Sequence, residues 1–122
     1  MPVIYAAQSQ SLAALEILVH LDSTELLEKY VLIEITTEEA LILRLEHGKL
    51  PRNWNKNPSP ASLKAIGDSW AREGSSVALR VSSALVPGED NFLFNPAHSD
   101  FQKVRIGKPL TFRFDPRLTS KP

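Results

Sequence analysis

Residues 12–19 read Leu-Ala-Ala-Leu-Glu-Ile-Leu-Val, apolar at every position but one. Such a run of good helix formers, with Ser9 and Ser11 ahead of it as N-caps, predicts a helix that opens at one of these two serines. A helix apolar on every face belongs inside a protein, so burial on nearly all sides is expected and the rest of the chain must wrap around it. Glu16 is the exception. An ionised carboxylate inside an apolar helix is costly unless it is paired or faces a polar cavity. Glu16 is therefore expected to lie on one wet stripe, to pair with a structural arginine, or to face a pocket.

Around that helix the pattern is mixed. Val3 to Ala6 reads as a short strand with no lead-in, and a helical turn through Leu26 and Leu27 follows the helix. Tyr30 to Ile35 alternates as a strand closed by Thr36 and Thr37, and Ala40 to Leu45 fits helix and strand equally. Lys49 to Pro60, with its prolines and asparagines, is a surface loop. Leu63, Ile66 and Trp70 fall at i, i+3 and i+7, which predicts an amphipathic helix from about Pro60 to Glu73 that covers a sheet and ends at Gly74. Strands are expected at Val77 to Val81, Phe92 to Phe94, Val104 to Ile106 and Leu110 to Phe114, with turns at Pro87-Gly88-Glu89-Asp90 and Gly107-Lys108-Pro109. Helices weigh on the first half and strands on the second, without regular alternation, so the fold class is α+β, in a single domain over 1–122.

Composition narrows the function by exclusion. Lys and Arg number 14 against 14 Asp and Glu, so no net field draws the chain onto nucleic acid or an anionic membrane, and direct contact with either is not expected. The absence of cysteine removes disulfides, thiolate nucleophiles and zinc-thiolate sites, and suits a reducing compartment, the cytoplasm by default. No signal peptide pattern opens the chain, and no segment approaches a membrane span of roughly 18 apolar residues. A G-x-S-x-G elbow, a glycine-rich phosphate loop and a dinucleotide fingerprint are all missing, so the usual hydrolase, NTPase and Rossmann assignments fall away.

Few residues remain to carry chemistry. Tyr5 ends a strand eleven residues before Glu16, and a strand-turn-helix unit brings its ring beside the carboxylate or into the core. Ser82 and Ser83 stand where a strand becomes a loop, as ligand contacts or as strand terminators. Asn91 and Asn95 flank an apolar triplet and either bind a ribose or carboxamide or close local turns. His20, His47 and His98 lack metal-ligand spacing, so no metal is expected.

Taken in order, Tyr5-Ala6-Ala7-Gln8-Ser9 with Leu15-Glu16-Ile17-Leu18-Val19-His20-Leu21 resembles the tyrosine-strand and glutamate-helix segment of the RES domain family. The later blocks Leu50-Pro51-Arg52-Asn53-Trp54, Ala65-Ile66-Gly67-Asp68-Ser69-Trp70, Leu79 to Glu89, Asn91 to His98, and Phe112 to Leu118 are similar to that family too, and together they cover nearly the whole chain. The resemblance implies a fold like that of the ADP-ribosyltransferases, a mixed or antiparallel sheet with flanking helices. It also implies a toxin of a type II toxin-antitoxin pair that depletes NAD by phosphorolysis or hydrolysis. NAD is then a substrate rather than a cofactor, inorganic phosphate is a co-substrate in the first case, and the partner is a cognate Xre-like antitoxin in a hetero-oligomer.

By position, the resemblance assigns catalysis to Glu16 and Ser83 and substrate binding to Tyr5 and Asn91. Glu16 would stabilise positive charge on the ribose, Tyr5 would stack on or orient the nicotinamide, and Ser83 would hydrogen-bond the ribose or an attacking phosphate. The family also carries pocket arginines and a Gly-Gly-Arg-Trp-like block ahead of the tyrosine strand, and nothing before Tyr5 matches them, so an N-terminally incomplete RES domain is expected. Arg80 and Arg52 are the arginines left to meet a pyrophosphate. Two other readings follow: a catalytically inactive or truncated module that only binds its antitoxin, and a protein ADP-ribosyltransferase.

Overall fold

The computed structural model describes residues 2–20, 30–56 and 61–119. Its centre is a four-stranded sheet in the order β1-β6-β5-β4, formed by β1 (Ile4–Ala7), β4 (Ile42–Arg44), β5 (Ala78–Ser82) and β6 (Asp90–Phe94). β6 runs antiparallel to both neighbours, and β4 runs parallel to β5, so the sheet is mixed. A parallel neighbour needs a crossover, and the helix α2 (Ala61–Glu73) lies within it. With α1 (Gln10–His20) after β1 and a short α3 (Pro116–Thr119) at the end, the architecture is the α+β one expected, a mixed sheet with flanking helices.

Alternation along β5 and β6 divides the core. Ala78 pairs with Phe94 and Leu79 with Leu93, which puts Phe94 and Leu93 on opposite faces. On one face Leu79 and Leu93 pack against Trp70 and Ala71 of α2, as the amphipathic pattern predicts. On the other, Ala78 and Phe94 pack with Val77 and Val104, and Ile35 and Phe101 close over them. Gly74 ends α2 at φ 63° and donates its N–H to the Trp70 carbonyl, a left-handed cap that a residue with a side chain adopts only with strain. The Trp70 indole N–H donates to Ser76 Oγ, and that hydroxyl donates to the Ala78 carbonyl, so the turn from α2 into β5 is held from inside.

Two expectations are corrected. The helix α1 is not buried on nearly all sides: Leu12 is buried, but Leu15 is 40% and Val19 55% exposed. Among the described residues the helix rests chiefly against β1, and the i, i+4 pair Leu15 and Val19 forms an exposed stripe. The strand over Tyr30 to Ile35 is two short strands, β2 (Val31–Leu32) and β3 (Ile35–Thr36), which pair with β8 (Leu110–Thr111) and β7 (Arg105–Ile106). Pro109 separates their partners and has no N–H to donate, so the ladder is split, while Gly107 N–H bonds the Glu34 carbonyl in the gap. Residues 40–45, which fit either state, form a 3-10 turn and then β4. The turn expected at Leu26 and Leu27 lies outside the described residues.

Ahead of α3, Asp115 accepts from the Arg117 side chain and backbone N–H, and these contacts, side chain first, hold its carboxyl below the usual range. Its contribution to stability is present above the unfolded carboxyl range and fades as pH falls through the lowered folded value. Exposure of both partners to solvent keeps that contribution small.

Asn95 is the buried polar group that ties the layers together. Its Nδ2 donates to the Ala71 carbonyl of α2, its Oδ1 accepts from Ala97 N–H, and it is 2% exposed. Asn95→Ala leaves both partners unsatisfied, and chemical denaturation is expected to show a loss of about 2 kcal/mol.

Candidate functional site

Ser9 opens α1: its Oγ accepts the Leu12 N–H at 3.1 Å, one of the orphan donors at the helix start. From that cap Leu12 points to the core, and Glu16, one turn on, shares its face. Ala13 and Ile17 flank this face, so a single cap and a 3.6-residue period direct the carboxylate inward although the stripe through Leu15 and Val19 is exposed.

The sheet meets it from below. In the β1–β6 ladder Tyr5 stands opposite Leu93 and Ala7 opposite Asn91, which places Tyr5 and Asn91 on one face. Asn91 Nδ2 donates to Glu16 Oε1 at 3.2 Å, joining strand to helix over 75 residues of chain. A cleft of about 490 Å³ opens here, lined by Tyr5, Ala7, Ala13, Glu16, Tyr30 and Asn91 among others. Tyr5 is 77% exposed, so its ring is not part of the core. Tyr30 faces it from the chain beyond α1 and is braced edge-on by Phe114, with ring centroids 6.1 Å apart; Phe114 in turn meets Phe112 at 5.0 Å. The small side chains of Ala6, Ala7 and Ala13 leave the space between the rings open.

Ser83 is elsewhere. It is buried, its Oγ accepts the N–H groups of Leu85 and Val86, both at 3.1 Å, and its own N–H donates to the Glu89 carbonyl. It lines a second cleft of about 330 Å³ with Arg44, Trp54, Glu89 and Asp90, beside Gly88 at φ 87°. Three of the four residues singled out in the sequence, Tyr5, Glu16 and Asn91, thus share one cleft, and Ser83 borders its neighbour. Asn95 supports the fold, and His98 Nδ1 caps a 3-10 turn by accepting from Asp100 N–H. Arg80 donates its Nε to Asp90 at 2.7 Å and lies over the Phe92 ring, while Arg52 sits on an exposed turn; neither lines either of these two clefts. Among the described residues no group of three or more His, Asp or Glu is placed to hold a metal, and no helix is long and apolar enough to cross a membrane.

Residues 1–115 match the sequence profile of the RES domain. The chain belongs to the RES domain family. Toxin Res of Yersinia enterocolitica is 44% identical over 116 residues, covering 94% of this chain and 76% of that protein. Toxin Res of Photorhabdus laumondii is 40% identical over 118 residues, with 96% and 76% covered. The Prs ADP-ribosylating toxin of a Sphingobium species is 35% identical over 122 residues, with 98% and 76% covered. The match takes in both clefts of this RES domain.

Tyr30, Arg44, Trp54 and Asp90 also line the two clefts, although the sequence does not mark them as site residues. Tyr30 gave no signal, since its position depends on the packing of Phe114. Asp90 carried one: it closes a Pro-Gly-Glu-Asp turn and enters a strand as an ionisable residue. The Ser83 hydroxyl holds the turn of the RES domain's second cleft, so Ser83→Ala is expected to lower stability by about 1–2 kcal/mol in a urea titration, with the backbone NMR shifts of Glu16 and Asn91 unchanged. No loss of stability would show that the turn stands without the hydroxyl.

Proposed function

We propose that this RES domain is a toxin that consumes NAD by breaking the bond between nicotinamide and ribose. The observation that carries this reading is the Glu16 carboxylate, held by Asn91 in a cleft that Tyr5 and Tyr30 also line. When the C1′–N1 bond breaks, its electron pair leaves with nicotinamide, and positive charge develops on C1′ and the ring oxygen. A carboxylate fixed beside that carbon stabilises the charge without having to reorient, the kind of electrostatic preorganisation that dominates enzymatic rate enhancement. Asn91 fixes the carboxylate at the wall of the cleft, where the ribose of a bound NAD would lie. Tyr5, exposed at the rim, offers a flat face to the nicotinamide ring.

An oxygen of phosphate or of water then attacks C1′ from the side opposite the leaving nicotinamide. Phosphate yields a ribosyl 1-phosphate; water yields free ADP-ribose and a proton. Ser83 has its hydroxyl proton left to donate after accepting two N–H bonds, and it borders the neighbouring cleft, which suits it to a part of the dinucleotide away from the reacting carbon. NAD places the activity in the cytoplasm, and a chain that destroys it needs a partner to restrain it, in this reading a cognate Xre-like antitoxin bound in a hetero-oligomer.

A second reading has a specific observation behind it. One relative carries the name of an ADP-ribosylating toxin, and transfer to a protein breaks the same bond with a different acceptor. NAD consumption by the purified chain, with and without phosphate, is expected to depend on Glu16, with Glu16→Gln slower by at least about 100-fold at unchanged thermal stability. Label from NAD appearing on a protein acceptor would move the assignment to transfer. A folded wild-type chain that leaves NAD untouched but binds the antitoxin would make it a binding module.

A further inference from the structure

The second cleft carries chemistry that the Glu16 cleft does not use. Asp90 is 7% exposed and accepts from two guanidinium groups on the same Oδ2, Arg80 at 2.7 Å and Arg44 at 3.4 Å. One carboxylate balances one of these charges, and the shorter contact goes to Arg80. Arg44 keeps the looser contact, its side chain is 56% exposed, and it borders the cleft. Two more groups face the same space. Trp54 supplies an indole, and Glu89 a carboxylate whose Oε1 accepts from Ser9 Oγ at 3.4 Å.

Each of these side chains recognises a different part of a nucleotide. A guanidinium with N–H groups to spare takes a phosphate, an indole stacks on a purine, and a carboxylate accepts from the ribose hydroxyls. Glu89 would repel a phosphate placed against it, so the phosphate belongs at the Arg44 end. The volume, about 330 Å³, lies at the small end of the roughly 300–1,000 Å³ typical of ligand sites and suits half a dinucleotide better than a whole one.

Position joins the two clefts. β1, β4 and β5 run in the same direction and end together, where β6 begins with Asp90 and Asn91. Neighbouring strand residues point to opposite faces, so Asp90 borders one cleft and Asn91 the other, at one end of one sheet. We propose that the Arg44–Trp54 cleft binds the adenosine 5′-phosphate half of a dinucleotide, Arg44 on the phosphate, Trp54 on the adenine and Glu89 on the ribose. Its link to the Glu16 cleft rests on the reading of NAD as substrate; binding of adenosine monophosphate does not.

Tryptophan fluorescence of the intact chain tests it. Of the two tryptophans Trp70 is buried under the sheet, so a ligand-induced change reports Trp54. Adenosine monophosphate is expected to quench the emission, and Arg44→Met, a change at an exposed side chain, to weaken its binding about ten- to a hundredfold while binding of adenosine is unaltered. Equilibrium dialysis of Trp54→Leu is expected to show weaker binding of both ligands. Binding of adenosine monophosphate indifferent to Arg44→Met would overturn the assignment, as would no binding at millimolar ligand. Inorganic phosphate competing on equal terms would overturn it too, by showing a site for free phosphate instead of an adenylate. The two proposals separate cleanly: Glu16-dependent NAD loss without adenosine monophosphate binding sinks this one alone, and the reverse result sinks only the cleavage reading.

Discussion

Asp90 is a carboxylate buried at the end of a sheet, and a buried carboxylate must be met by donors or it opposes folding. The carboxylate is met from β5 and β4, and the Asp90 backbone is held from the end of β1. Arg80 of β5 donates through Nε and Arg44 of β4 through NH1, while the Gln8 side chain just beyond β1 accepts the Asp90 N–H, and the Gln8 N–H bonds the Asp90 carbonyl. Strands β1, β4, β5 and β6 are thereby registered to one another at the end where both clefts open. Arg44 and Arg80 stand side by side in register, a repulsive arrangement that the carboxylate between them makes tolerable.

The same residues set the direction of α1. Gln8 extends the β1–β6 pairing by one step, Ser9 caps the helix and touches Glu89, and α1 leaves the sheet from that fixed point. Glu16 then reaches Asn91, the residue after Asp90. The chain solves two electrostatic problems with adjacent residues: Asp90 is neutralised on one face of the sheet, and Asn91 orients a carboxylate on the other. A helix with an exposed side suffices for this, because only the stripe through Leu12 and Glu16 has to be placed.

How much of this the sequence discloses depends on whether the cause is local. The Ser9 cap, the Gly74 stop and the amphipathic stripe ending at Trp70 are set by residues within a turn or two, and each is legible. Glu16 stands out for the same reason, as one charge in an apolar run. The partial exposure of α1 is not legible in its sequence, because hydrophobicity says what a helix would gain by burial and not which neighbours the fold sets against it. Splitting of the strand at residues 33–34 comes from Pro109 on the partner strand, some 75 residues away, which no window around Tyr30 contains. The contact between Asn91 and Glu16 needs the β1–β6 register, and so does the separation of Ser83 into the neighbouring cleft; register belongs to the assembled sheet. Family resemblance named these four residues together, but it did not show which of them share a cavity. Arg44 and Trp54 carry no local sign of a site, because a strand arginine and a loop tryptophan are ordinary until the fold sets them beside Asp90.

The central claim is that Glu16 acts in the orientation Asn91 gives it. A double-mutant cycle on kcat/KM for NAD cleavage, using Glu16→Gln, Asn91→Ala and the pair, measures that coupling directly. Asn91→Ala is expected to slow the wild-type enzyme about tenfold or more and to have little further effect once Glu16 is Gln, a strongly non-additive result. Losses that multiply independently, or an Asn91→Ala enzyme as fast as wild type, would contradict the account.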